Sequence, residues 1–302
     1  MACCIPQRIN VTYVFSPAPV QAGRSRRGEL EATILLVGCG GTGGFVAEAT
    51  SRLLLGRRAA FFMVDPDRVE PVNTSRQAFD RSDVGRFKAE VLAERLAHRF
   101  GREVAYSVAP YDSRVHAAAF DEPSRFGILV GAVDNASARS AIAATLAERA
   151  PSWHSKAQPI VWLDAGNSRN SGQVLLGNAT RRDHLHGAFN PATGLCHALP
   201  APSLQRPDLL EAPPVGLVPM WLDCARAVSD GEQGKTINQF MSALVSTYLE
   251  RLLDGTCSWM ATYADLDNGT MRCIPADPSH VAALTGVRPS DLVARVGVTQ
   301  QS

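Results

Sequence analysis

A glycine-rich stretch, Gly38-Cys39-Gly40-Gly41-Thr42-Gly43, stands between a run of apolar residues and a segment with helical apolar spacing. Glycines at such a junction let backbone N–H groups approach a phosphate, and the dipole of a helix that starts there favours the negative charge. Asp65 closes the next apolar run, 22 residues after Gly43, at about the place where an acidic residue receives a ribose hydroxyl in a dinucleotide fold. Up to this point a nicotinamide-dependent dehydrogenase and an ATP-using enzyme read alike. They part over the residues that follow: Asp65-x-Asp67, then Asn73-x-x-Arg76-Gln77, then Val84-Gly85-x-x-Lys88. Arg76 and Lys88 bring two cations to the cradle, and such a pair serves a reaction in which negative charge develops on a leaving polyphosphate. A dehydrogenase would give Arg76 and Lys88 no shared purpose.

The elements that must position these residues follow from hydrophobic patterning. Thr33 to Val37 and Ala60 to Val64 are continuous apolar runs of the buried parallel-strand type, and Gly44 to Leu55 has helical spacing. Phe87 to Phe100 is a second helical pattern closed by Gly101, followed by strand patterns at Val104 to Val108 and Ile128 to Val133 and an Ala-rich helix from Ala138 to Arg149. This alternation predicts an α/β fold with a doubly wound, mostly parallel Rossmann-like sheet. Strands at Ile160 to Leu163 and Gln173 to Gly177 precede a polar, Pro-rich stretch, Ala179 to Ser229, without clear periodicity. A loop of that length has a function of its own or is disordered. A long amphipathic helix, Lys235 to Leu253, and a hairpin of Ser258 to Leu266 and Met271 to Ile274 across Asp267-Asn268-Gly269 predict an antiparallel C-terminal extension of the sheet. Arg8 to Phe15 reads as a further short strand ahead of the linker.

The chain divides on this reading into an N-terminal strand and linker (1–29), a nucleotide-binding core (30–178), a crossover segment (179–230), a C-terminal helix and hairpin completing the sheet (231–276) and a C-terminal tail (277–302). Its 302 residues, 45% hydrophobic, suffice for a large core, and 30 basic against 29 acidic residues leave no electrostatic reason to expect nucleic acid or an anionic membrane as partner. The apolar runs are far shorter than the roughly 20 residues of a membrane helix. Met1 to Pro6 has no basic and apolar regions of an export signal, so the expected location is the cytoplasm. Seven cysteines without a pairing rhythm read as free thiols.

Taken together and in order, the glycine loop, the strand-ending Asp65, Asn73-x-x-Arg76-Gln77 and Val84-Gly85-x-x-Lys88 resemble the ThiF/MoeB/HesA superfamily, the prokaryotic relatives of ubiquitin-activating enzymes. The resemblance implies adenylation with ATP and Mg2+, held by Gly38, Gly40, Gly41, Gly43, Asp65, Asp67, Asn73, Arg76, Gln77, Lys88, Asp134 and Asn135. In that setting Arg76 and Lys88 are transition-state clamps, Asn73 and Gln77 line the nucleotide pocket, and Asp134 holds Mg2+ or orients the attacking carboxylate. Each residue taken alone has a plainer reading: Asp65 or Asp134 as a helix N-cap, Arg76 or Lys88 as a solvated charge, Asn73 as a turn former.

Trp221-Leu-Asp-Cys224, Asn238-Gln239-Phe240 and Tyr263-Ala-Asp265 resemble, more loosely, the ThiF-like proteins of bacterial operons that also encode a ubiquitin-like protein, a conjugating enzyme and a JAB-type peptidase, such as the PRTRC and antiviral BIL-type systems. That resemblance implies a ubiquitin-like β-grasp protein and a ubiquitin-conjugating-enzyme-like protein as partners. It also makes Cys224 the candidate thioester nucleophile, against a plainer reading as a structural cysteine, with Cys196 as second choice. Two C-x-x-C pairs hold a structural zinc in many family members and are missing here, so no structural zinc is expected. His184-x-His186 and Cys196-His197 lack regular ligand spacing and read as solvated or substrate-facing. Family dimers take an extra arginine from the partner's N-terminal helix; here the first 30 residues read as strand and linker with no equivalent helix, Arg24, Arg26 and Arg27 are the substitutes on offer, and a homodimer is an expectation of the resemblance that this departure weakens. Two further readings stay open: adenylation of a sulfur-carrier protein or a tRNA base, and a nucleotide-binding scaffold without catalysis.

Overall fold

A computed structural model describes residues 12–17, 30–121, 124, 126–147, 159–211 and 236–294. Its main sheet begins with β2 (Ala32–Val37), whose six residues are all buried because apolar side chains point to both faces. β2 pairs in parallel with β3 (Ala59–Val64) on one side and β5 (Gly127–Gly131) on the other. β4 (Ala105–Ser107) lies parallel outside β3, and β6 (Ile160–Asn167) parallel outside β5. From β6 the pairing turns antiparallel through β7 (Ser171–Gly177), β10 (Trp259–Asp265) and the edge strand β11 (Thr270–Pro275). The eight-stranded order β11-β10-β7-β6-β5-β2-β3-β4 is the expected mixed sheet with its antiparallel C-terminal extension.

Alternate β2 residues feed two cores. Ile34 and Leu36 join the cluster that contains Val46 and Ala47 of α1 (Gly41–Leu53), Leu92 and Leu96 of α2 (Lys88–Phe100), and Met241, Val245 and Leu249 of α6 (Ile237–Leu253). Leu35 and Val37 join Ala119 of α3 (Ser113–Ala119) and Ile142 and Leu146 of α4 (Ala136–Ala147) on the opposite face. Helices therefore cover both faces, which defines a doubly wound sheet. The chain travels from β2 outward to β4 and then returns to place β5 on the other side of β2, so the strand order reverses between β2 and β5. Ligands of such sheets bind at that reversal, outside the carboxyl ends of the strands.

Two regions are more ordered than their sequence suggests. The expected crossover segment is folded as far as Glu211: β8 (Phe189–Asn190) and β9 (Leu195–Cys196) form a small sheet with β1 (Val14–Phe15), and α5 (Pro202–Gln205) follows. Tyr13 meets Phe189 edge to face at 5.0 Å between ring centroids. Elements of two residues carry no periodicity to read. The expected C-terminal tail holds α7 (Pro278–Thr285) and α8 (Pro289–Leu292), which bury Val281 and Leu292 completely. The Asp277 carboxylate caps α7 by accepting the His280 N–H at 2.9 Å. Residues 1–11, Arg24, Arg26, Arg27 and the stretch 212–235 with Trp221 and Cys224 lie outside the described residues. Among the described residues, no helix is long and apolar enough to cross a membrane.

Candidate nucleotide site at the strand reversal

The glycine loop runs from the end of β2 into α1 and sits against the end of β5. Gly38 has φ +92°, and a Cβ there would lie 2.5 Å from the Ala132 carbonyl oxygen. At Gly43 a Cβ would lie 1.9 Å from the Gly38 carbonyl oxygen. Both positions require glycine, one for its backbone conformation as well as its space, the other for space alone. The loop therefore folds tightly on itself and leaves the start of α1 without side chains, apart from Thr42, in its first turn.

Asp65, at the end of β3, fastens the loop to the sheet. Its Oδ2 accepts the Cys39 N–H at 2.6 Å and its Oδ1 accepts the Asp67 N–H at 2.8 Å. Burial pushes the Asp65 carboxyl above the usual carboxylate range, against the opposing pull of those amides and of Lys88. Lys88, the first residue of α2, places Nζ 3.0 Å from Asp67 Oδ2; its side chain is 10% exposed, that of Asp67 67%. Four expected positions, the loop, Asp65, Asp67 and Lys88, thus form one connected group.

Asn73 organises a second group from within the short 3-10 turn Pro71–Ser75. Its side-chain oxygen accepts the Glu70 N–H at 2.9 Å, and its backbone carbonyl accepts the N–H groups of Arg76 (3.1 Å) and Gln77 (2.8 Å). Gln77 reaches the loop, with Nε2 3.9 Å from where a Cβ on Gly40 would stand. Asn73 thus shapes the turn that presents Arg76 and Gln77, while its Oδ1 is engaged with backbone. Asp134 and Asn135 are exposed beyond the end of β5; Asn135 Oδ1 accepts the Ala138 N–H at 2.8 Å in the first turn of α4, and Asn135 Nδ2 donates to Asp134 Oδ1 at 3.2 Å. Asp134 is left at the surface of the strand reversal, where a carboxylate is accessible to a cation or a substrate. Among the described residues no group of three or more His, Cys, Asp or Glu side chains is placed to hold a metal.

The residues present fit a nucleotide. Glycines clear most of the first turn of α1, and two buried amide atoms beside the loop, Gln77 Oε1 and Asn238 Nδ2, have no hydrogen-bond partner among the described residues. Asn238 was singled out in the sequence only as part of a looser pattern, without a role. It is the second residue of α6, and its Oδ1 accepts from Asn167 Nδ2 (2.9 Å) at the end of β6 and from Thr42 Oγ1 (3.2 Å) in the loop. A second unforeseen feature lies under the site: Asp164 of β6, paired in register with Gly131, is fully buried and accepts from Arg139 Nε of α4 at 3.1 Å. Burial raises the Asp164 carboxyl and the guanidinium opposes it. Nothing in sequence spacing joins positions 42, 167 and 238.

Three of the four cysteines of known placement are poor nucleophiles. Cys39, Cys196 and Cys257 are fully buried, and burial pushes the Cys39 and Cys196 thiols well above their ordinary range and Cys257 up to about 11. Cys196, the second choice for a thioester, is corrected on that ground: its thiol is held inside, donating to the Ala198 carbonyl at 3.1 Å. Among the described residues, His184, His186 and His197 belong to no group of three or more side chains placed to hold a metal.

A model of the ThiF family matches residues 25–218, well over half of the chain. The tRNA threonylcarbamoyladenosine dehydratase of Escherichia coli (strain K12) is 45% identical over 67 residues, 22% of this chain and 24% of that one. The ubiquitin-like modifier-activating enzyme 5 of Xenopus laevis is 29% identical over 157 residues, 48% of this chain and 36% of that one. A crystal structure of Escherichia coli MccB with ATP superposes with a TM-score of 0.51 at 15% identity, covering 82% of this chain and 64% of MccB, a likeness of fold. This chain spans less than two thirds of each of these proteins.

Proposed function

The chain belongs to the ThiF family, and from that premise we propose that it is an adenylating enzyme that activates the C-terminal glycine of a ubiquitin-like β-grasp protein with ATP. In the reaction a carboxylate oxygen of the partner attacks the α-phosphorus, the bond from that phosphorus to the bridging oxygen breaks, and pyrophosphate departs with the electron pair. The product is an acyl-adenylate. The observation that carries the reading is the connected group of loop, Asp65, Asp67 and Lys88: a nine-tenths buried cation held beside a helix N-terminus whose first turn is glycine apart from Thr42. Lys88 and Arg76 stabilise charge on the leaving pyrophosphate, the loop amides hold phosphate oxygens, and Asp65 receives the ribose. Asp134 orients the incoming carboxylate or holds Mg2+, which would supply further neutralisation of phosphate charge.

A thioester step follows on this reading: the Cys224 thiolate attacks the acyl carbon, AMP leaves, and the acyl group passes to a conjugating-enzyme-like protein. That step rests on the sequence resemblance and on the burial of Cys39, Cys196 and Cys257. An extended C-terminal tail with backbone hydrogen bonds would approach across the carboxyl end of β5. The same chemistry directed at a tRNA base is the second reading, favoured by the 45% identical segment shared with the dehydratase that acts on threonylcarbamoyladenosine.

The test is ATP–pyrophosphate exchange in the presence of candidate partners. Exchange that requires the partner's C-terminal glycine, together with a reducible adduct lost in Cys224→Ala, is the expected result. Exchange stimulated by tRNA alone would replace this reading with the second, and nicotinamide binding without exchange would remove both.

A further inference from the structure

We infer that Asn238, from the first turn of α6, adds a side-chain donor to the backbone cradle of the glycine loop, its Nδ2 reaching a phosphate oxygen of the bound nucleotide. The inference rests on the nucleotide reading above and extends it to an element that lies 195 residues beyond the loop's Gly43. Asn238 is 1% exposed, and its Nδ2 has no acceptor among the described residues. An unmet buried donor is costly, and native structures keep few of them. Its orientation is set by the other end of the amide: Oδ1 accepts from both Thr42 Oγ1 and Asn167 Nδ2 at 3.2 and 2.9 Å, and the amide lies along Gly41 with Nδ2 its nearest atom.

The place where Nδ2 points is informative. A Cβ on Gly41 would lie 2.5 Å from it. On an α-helix the Cα–Cβ bond projects outward and toward the N-terminus, and Gly41 is the first residue of α1. The donor therefore stands on the side of the helix start where an anion at that N-terminus collects its hydrogen bonds. Gly41 being glycine is what admits the amide so close. Thr42 and Asn167 hold the amide in one orientation, so the donor is preorganised rather than recruited.

A purely structural Asn238 would support the loop equally for every ligand, whereas a phosphate donor acts only on ligands that carry phosphate. The full chain is therefore titrated with ATP and with adenosine by calorimetry, for the wild type, Asn238→Asp and Asn238→Ser, with a thermal melt of each. Asn238→Asp keeps the shape and the acceptor while replacing the donor by a carboxylate; Asn238→Ser shortens the group and carries the test if the first variant melts. We expect ATP affinity to fall roughly tenfold or more for Asp and several-fold for Ser, with adenosine affinity within about twofold of wild type. Folded variants that bind ATP like wild type, or that lose ATP and adenosine in equal measure, overturn the inference. A wild type that binds no ATP brings down the nucleotide reading itself, and this inference with it.

Discussion

Lys88 is tied to Asp67 twice: its Nζ lies 3.0 Å from Asp67 Oδ2, and its backbone N–H donates to the Asp67 carbonyl at 2.9 Å. The arrangement is unfavourable on two counts. Lys88 begins α2, where the helix dipole repels a cation, and its side chain is nearly buried, where a charge loses hydration. The exposed Asp67 offsets little, since pairs with a solvated partner contribute at most about 1 kcal/mol. A residue kept against its own stability points to use in function.

Lys88→Met is therefore expected to leave the melting temperature unchanged or raise it, while lowering kcat/KM for ATP–pyrophosphate exchange by roughly 10²–10³, the usual loss for one preorganised charge-stabilising donor. Exchange at the wild-type rate would remove Lys88 from the chemistry.

The two ends of the glycine loop differ in tolerance. Gly43→Ala drives a Cβ into the Gly38 carbonyl oxygen, whereas Gly40→Ala meets nothing closer than Gln77 Nε2 at 3.9 Å. Gly43→Ala should cost about 1–3 kcal/mol in a urea titration, as overpacking does, and Gly40→Ala should stay within about 0.5 kcal/mol of wild type. Equal losses at the two positions would show that the loop is not folded as described.

The Arg139–Asp164 pair makes a pH-dependent prediction. Arg139→Met leaves a fully buried carboxyl without its cation, so its pKa, already raised by burial, rises further. A raised folded-state pKa means that the native state binds the proton more tightly than the unfolded chain. Stability relative to wild type is then highest below the unfolded value, near 4, and falls as pH climbs through the raised one. Denaturant midpoints should show a loss of about 3–5 kcal/mol at pH 7 that shrinks toward pH 4; a loss constant over that range would mean that Asp164 is not the group responsible.

Much of this was readable in one dimension. Ala32–Val37 and Ala59–Val64 are strands because their side chains are apolar on both faces, and the hairpin between β10 and β11 turns at Asp267-Asn268-Gly269, as its turn residues require. The loop, Asp65, Arg76, Gln77 and Lys88 were legible as a set because their spacing is local to two successive strand–helix units. The two-residue strands β8 and β9 were not, since they are too short for periodicity, and neither was the docking of Tyr13 on Phe189.

What the sequence by itself determined is the kind of chemistry on offer: a phosphate cradle, two cations and strand-end carboxylates, in an order that an alternating α/β chain must bring to one edge of its sheet. Only the tertiary structure decided which atoms remain available there. Hydrogen bonding consumes the Asn73 Oδ1 at Glu70 and leaves each Asp65 oxygen one further lone pair after its backbone N–H, while Asn238, brought in by α6, keeps its Nδ2 without a partner among the described residues, beside Gly41. Local spacing specifies which residues share a strand end. The partners each side chain finds depend on how α1, α6 and the end of β6 pack, a relation between distant segments that no local pattern contains.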